Sequence, residues 1–228
     1  MILCVIPARG GSKRIKNKNI KKFLGKSIIS YSIRQAIKSK MFDKIIVSTD
    51  SKKIAKIAIT YGAEVLFERP KKLSNDYVGV QSVISHSIKW IENNISNVKH
   101  VCCVYPASPL IESKNIINAY KIFKKKKWDF IISASKFYYP IQRAFFLKKN
   151  QSVKMFNKKN YNKRSQDLIE SYHDSGQFCW GTAKAWKSKK NIFNSKSTIF
   201  KLDQFSSHDV DNPEDLKISE KLYRLKFK

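Results

Sequence analysis

A chain of 228 residues, 42% hydrophobic and 12% aromatic, can bury a sizeable core as one α/β domain, which excludes a disordered chain. Its formal net charge of +29 raises nucleic acid or a membrane surface as partners. Yet the cations are mostly lysines spread along the whole chain, with arginine only at 9, 14, 34, 69, 143, 164 and 224, whereas base readers favour arginine forks.

Apolar runs of strand length recur at 1–6, 44–48, 64–68, 99–105 and 129–134. The first is too short for a signal peptide or a membrane span, and no other stretch approaches about 18 uninterrupted apolar residues, so no membrane partner is expected. Helix-period segments lie between the runs: Ile28, Ile29, Ile33 and Ile37; Ile54, Ile57, Ala58 and Tyr61; Val80, Val83, Ile84, Ile88 and Ile91; Ile116, Ile117, Tyr120 and Phe123. This alternation predicts βαβ units in a doubly wound, mostly parallel α/β sheet of Rossmann-like type. After residue 136 the alternation fails. Residues 137–175 are expected as an inserted β-rich arm on a single domain of 1–228, serving dimer contact or cover of a substrate site. A further strand is predicted at Thr198–Leu202, and a closing helix at 213–225 with Asn212 as N-cap and Pro213 in its first position. Cysteines 4, 102, 103 and 179 form no C-x-x-C and are expected as reduced core residues of a cytoplasmic protein.

Sheets of this kind bind ligands beyond the carboxyl ends of their strands, and residues 8–19, A-R-G-G-S-K-R-I-K-N-K-N, follow the first strand directly. The segment is neither a Walker A loop nor a G-x-G-x-x-G turn. What remains is a basic loop in which Gly10, Gly11 and Ser12 offer N–H and hydroxyl donors and Arg9, Lys13 and Lys18 offer charge, the composition of a phosphate site. The plainer alternative is a βα connection with surface lysines.

The string I-P-A-R-G-G-S-K-R-I-K-N-K-N-I resembles the opening signature of the cytidylyltransferases that activate nine-carbon acidic sugars, the CMP-sialic acid synthetase family. Matching segments follow in order: Ser48-Thr-Asp50, Arg69-Pro70 with Leu73 and Asp76, Pro106-Ala-Ser-Pro-Leu110, and His208-Asp-Val-Asp211. The resemblance implies a nucleotidyltransferase fold in which CTP lies over the first strand's end and the anomeric hydroxyl of a keto-sugar acid attacks the α-phosphorus. It implies that Arg9 and Lys18 stabilise phosphate charge at the reacting centre and that Ser12 and Lys13 hold the triphosphate. Ala8, Gly10 and Gly11 complete the nucleotide loop, and Asn19 and Arg69 help seat the nucleoside. It further implies that Asp209 and Asp211 are catalytic and hold Mg²⁺, side chains two apart on an extended segment facing the same way; otherwise they are turn and capping residues.

The strings F-Y-Y-P-I-Q-R-A-F, R-S-Q-D-L at 164–168 and Y-H-D-S-G-Q-F-C-W-G at 172–181 resemble the branch acting on pseudaminic acid. They imply a sugar pocket of His173, Asp174, Gln177 and Trp180, with Gln166 and with Arg143 or Arg164 as the fork for the sugar carboxylate. Sialic or legionaminic acid as the sugar, a metal-dependent glycosyltransferase, and a basic nucleic-acid-binding module are the competing readings. A homodimer is implied by the arm and the family.

Overall fold

The structure, a computed structural model, describes residues 1–188 and 190–227. From the amino terminus come β1 (Ile2–Pro7), a small hairpin of β2 (Lys22–Phe23) and β3 (Lys26–Ser27), α1 (Ile29–Ser39), β4 (Lys44–Ser48), α2 (Lys52–Thr60) and α3 (Val80–Asn94). There follow β5 (His100–Val104), α4 (Ser113–Lys125), β6 (Phe130–Lys136), and a second hairpin of β7 (Phe145–Leu147) and β8 (Val153–Met155). The long β9 (Tyr172–Thr182), α5 (Ala183–Lys187), β10 (Ser197–Lys201) and α6 (Pro213–Phe227) complete the chain.

Six strands form the central sheet in the order β10-β6-β9-β5-β1-β4. β1 runs parallel to β4 and β5, and β10 to β6; β9 is antiparallel to both of its neighbours. Side chains alternate across each strand, so the apolar runs cover two faces at once. Cys4 and Ile6 pack with Ile33 of α1, Ile54 of α2 and Ile116 of α4. Leu3 and Val5 meet Ile84 and Ile88 of α3 and Trp186 of α5. The doubly wound, mostly parallel sheet is therefore present, with one strand reversed in its middle.

A third core cluster positions the functional edge. Ile15 of the first loop, Phe23 of β2, Ile28, Tyr31 of α1, Ala107 after β5 and Val210 before α6 bury against one another. Phe23, Tyr31 and Tyr223 of α6 meet edge to face with ring centroids 5.0, 5.6 and 5.3 Å apart. The cluster fastens the last segment of the chain to the first. Helix α6 starts as expected, with Asn212 Oδ1 accepting from the amides of Glu214 at 2.8 Å and Asp215 at 3.0 Å.

Two expectations need correction. Residues 64–68 form no strand; their backbone makes isolated bridges, Glu64 with Ile46 of β4 and Glu68 with Thr49 just after it. At the edge of the sheet beyond β4, they stay half-buried or exposed. The segment 137–175 also divides. Its hairpin β7–β8 is a separate sheet with Phe145, Leu147 and Phe156 exposed, whereas Tyr172–Ser175 already belong to β9 and pair with the end of β6. A register shift between Ile132 and Ala134 disturbs that pairing, and such irregularities bend a strand.

Gly181 in β9 leaves no room for a side chain: an added Cβ would stand 2.6 Å from Trp186 Nε1 and 2.7 Å from Phe130 Cδ1. Gly181→Ala should therefore lower stability by about 1–3 kcal/mol, read as an earlier urea midpoint, and an unchanged midpoint would contradict this packing.

Candidate active site

A cleft of about 410 Å³ opens beside the carboxyl ends of β1 and β5, where open α/β sheets take ligands. Pro7, Arg9, Ser12, Lys13, Arg14 and Lys18 line one side. Arg69, Tyr105 and Ser108 follow, and Asp174, Gly176, Asp209 and Asp211 close it.

The first loop is held by its own backbone. The Ala8 amide donates to Ser48 O at 2.9 Å, and the buried Asn19 donates its side-chain N–H to Arg9 O at 2.9 Å. The Gly10 amide donates to Asp50 Oδ1 at 2.8 Å, and the Ser12 amide to Gly10 O at 3.0 Å. Ala8 and Gly10 therefore shape the loop, and the amides of Gly10 and Ser12 are already committed, contrary to the expectation of open donors there. Gly11 borders open space, and Ser12 reaches the cleft.

Arg69 lies buried beneath, with Nε donating to Ser48 Oγ at 3.1 Å and Nη2 to Ser48 O. Burial pulls its pKa to about 10 against the opposing effect of Asp50, which still leaves it charged at neutral pH. On the outer side, one carboxylate, Asp76, bridges two cations: Oδ1 lies 2.6 Å from Arg9 Nη2, and Oδ2 2.5 Å from Lys13 Nζ.

Val210 is fully buried in the third core, so the alternation of an extended segment turns Asp209 and Asp211 the other way, into the cleft. Lys18 Nζ donates to Val210 O at 2.7 Å and lies 3.2 Å from Asp211 Oδ1; Arg14 Nη1 lies 2.6 Å from Asp211 Oδ2. The amides of Asp211 and Asn212 both donate to Asp215 Oδ2 at 2.9 Å. The cationic loop and the late aspartate pair thus meet at one place.

Asp209 and Asp174 sit in the cleft, open to solvent yet crowded by protein. That crowding pushes the Asp209 carboxyl above its ordinary pKa, and the charge of Asp211 adds to the effect while Lys18 opposes it. Asp174 is raised by the same desolvation, partly offset by the N–H of Gly176 at 2.9 Å. Gly176, at φ 63°, is demanded here, since a Cβ would stand 3.0 Å from Asp209 Cγ. Oxygen donors under mutual repulsion suit a hard cation. No group of three or more His, Cys, Asp or Glu that could hold a metal exists among the described residues. Asp209 and Asp211 therefore fit an ion such as Mg²⁺ that needs only one or two carboxylates and takes its other ligands from phosphate and water.

The expected sugar residues fare differently. Asp174 lines the cleft. His173 lies outside its lining, stacking edge-on against Phe137 at 4.9 Å with Nδ1 3.0 Å from Asp174 O. Gln177 is buried and donates Nε2 to Ser206 O, so it anchors the segment ahead of Asp209 rather than facing a ligand. Trp180 is fully buried, stacks on Phe42 at 5.3 Å and donates Nε1 to Ile116 O at 3.1 Å; it is core, not a pocket wall. Strand β9 lies inside the sheet with both faces covered, so Gln177 on one face and Trp180 on the other are both buried. Arg143, Gln166 and Arg164 are exposed on the arm, away from the cleft lining, and Arg164 pairs with Asp167 at 2.8 Å. Sequence reasoning gave no role to Arg14, Tyr105 and Ser108, which line the cleft, or to Asp76 beside it, although Asp76 and Ser108 lay in segments that match the family and Arg14 in the basic loop.

A family model described as cytidylyltransferase matches residues 3–224. The chain belongs to the cytidylyltransferase family. Its similarity to other cytidylyltransferases extends over nearly the whole length. It is 44% identical over 223 residues to the pseudaminic acid cytidylyltransferase of Campylobacter jejuni subsp. jejuni serotype O:2, covering 98% of this chain and 96% of that one. It is 34% identical over 229 residues to a CMP-N,N'-diacetyllegionaminic acid synthase from the same organism, covering 99% and 96%. Among solved structures, a CMP:2-keto-3-deoxy-manno-octonic acid synthetase complexed with CTP shares the fold, with a TM-score of 0.71 at 13% identity and 99% coverage of both chains.

The raised pKa of Asp209 has a consequence for this cytidylyltransferase's stability. The folded chain holds that proton more tightly than the unfolded chain, so the stability present below the unfolded pKa is lost as pH rises through the folded one. Asp209→Asn, fixed in the uncharged form, should melt above the wild type at pH 7 and converge with it below about pH 4. A lower melting temperature at pH 7 would contradict the crowding.

Proposed function

We propose that this cytidylyltransferase transfers CMP from CTP to the anomeric hydroxyl of pseudaminic acid in the cytoplasm, releasing pyrophosphate. The observation that carries this reading is the cleft where Arg9, Lys13, Arg14 and Lys18 face Asp209 and Asp211. Identity with the pseudaminic acid enzyme exceeds that with the legionaminic acid synthase by ten points, 44% against 34%, which favours pseudaminic acid as the sugar.

Phosphoryl-group transfer asks mainly for positioning and charge stabilisation. Arg9, Ser12 and Lys13 bind the triphosphate, and Lys18 stabilises charge at the α-phosphate. Asn19 fixes the loop through Arg9 O, and Arg69, beneath it, supports the nucleoside end. Asp209 and Asp211 hold Mg²⁺, which when bound offsets triphosphate charge. A bond forms from the sugar oxygen to the α-phosphorus as the bond to pyrophosphate breaks. One of the two aspartates takes the hydroxyl proton. Asp174, across Gly176, offers the sugar an acceptor.

The exposed aromatic face of the arm is covered by a second copy, giving a homodimer. Arg143, Arg164 and Gln166 serve a sugar site only as part of that assembly.

Pyrophosphate release with CTP, Mg²⁺ and a panel of nine-carbon sugar acids tests the reaction. Pseudaminic acid should be preferred in kcat/KM by at least about tenfold; preference for legionaminic or N-acetylneuraminic acid would transfer the assignment to that sugar. Asp211→Asn should reduce turnover at least roughly tenfold, about 1.4 kcal/mol of transition-state stabilisation, and full activity would remove the metal role.

A further inference from the structure

We propose that Asp76 stands in for the phosphates of CTP in the free enzyme, occupying Arg9 and Lys13 until the nucleotide displaces it. This rests on the reading above that these two cations hold the triphosphate. The four cations of the first loop that line the cleft are each paired with a carboxylate: Arg14 and Lys18 with Asp211, Arg9 and Lys13 with Asp76. Asp211 has a further task beside Asp209. Asp76 makes no other ion pair among the described residues.

Its geometry imitates a phosphate. The two oxygens of one carboxylate serve two different cations, at 2.6 and 2.5 Å, as two oxygens of a phosphate group would. The hydrogen bonds from Lys13 and then Arg9 hold the Asp76 carboxyl below its ordinary pKa, so the anion is present throughout the neutral range.

The segment that carries Asp76 is built to let go. No residue from Pro70 to Ser82 is buried, and Tyr77, the next residue, is 97% exposed. From Pro70 to Gly79 the hydrogen bonds that shape it are local, Leu73 N to Pro70 O at 2.8 Å, Ser74 Oγ to Pro70 O at 3.2 Å and Tyr77 N to Asn75 Oδ1 at 2.9 Å, and a distant tie comes only at Gln81, whose Nε2 donates to Lys190 O at 2.8 Å. Withdrawing the carboxylate exposes no core. Val78 and Val80 of the same stretch line the cleft, so the segment borders the site it guards. Asp76 is thus a positioning residue: it keeps two flexible cations aimed at the cleft, weakens nucleotide binding by competition, and recaptures them as pyrophosphate leaves.

Calorimetric titration of the full chain with CTP, and separately with pyrophosphate, tests this in wild type, Asp76→Asn and Asp76→Ser, with Asp76→Glu as the conservative variant. Removing the competing carboxylate should tighten both dissociation constants by roughly three- to tenfold, the range expected for losing one or two exposed ion pairs. Asp76→Glu should stay near the wild-type value. KM for CTP should fall in the two neutral variants while kcat falls or stays level, a split that a purely structural role would not produce. Unchanged or weaker CTP binding in both neutral variants would overturn the proposal. The double variant Arg9→Met with Lys13→Met separates the two levels. If it weakens CTP binding but the Asp76 variants do not tighten it, Asp76 alone is wrongly assigned; if it leaves CTP binding intact, the triphosphate role of the two cations falls as well.

Discussion

Everything at the functional edge depends on where one valine is buried. Val210 is fully inaccessible and shares its small core with Ile15, Phe23 and Tyr31, side chains from the beginning of the chain. Its burial turns the aspartates on either side of it toward the cleft and sets its carbonyl beside Lys18. A hydrophobic contact therefore brings together two charged segments nearly 200 residues apart, and the ion pairs of Asp211 with Arg14 and Lys18 settle into that frame. Exposed ion pairs contribute little by themselves, so it is apolar burial that supports their geometry.

The same edge works against stability. The protein walls around Asp209 raise its pKa, the charges of Asp211 and Asp174 add to that, and a glycine at 176 is needed to admit its carboxylate. A chain selected only for stability would not place like charges there. Such crowding is relieved by a cation and a polyphosphate together, the pair of ligands that a CTP-dependent transferase must gather. The lysine excess elsewhere sits on surfaces that take no part in this arrangement.

The sheet was legible in the sequence because buried parallel strands leave near-continuous apolar runs: residues 44–48 coincide with β4, and 99–105 contain β5. Strand β9 was not legible, since its first half is polar, contains Gly176 at positive φ and meets β6 across a register shift. That hidden strand also explains the misplaced sugar residues. Gln177 and Trp180 lie in a string that resembles a substrate-specific motif, but on a central strand covered on both faces they are buried on opposite sides, while Asp174, nearer the start of the strand, reaches the cleft. Asp76 stood in a segment that matches the family, but its pairing could not be read from local pattern, because it joins two cations more than 60 residues earlier.

If the first loop and the late aspartates grip one nucleotide, a crystal structure with CTP and Mn²⁺, the ion located by its anomalous signal, shows it most directly. The expected result is a manganese peak coordinated by Asp211 or Asp209 and by a phosphate oxygen, with the triphosphate lying along Arg9, Lys13 and Lys18. A nucleotide bound elsewhere, or a metal peak away from both aspartates, would contradict it.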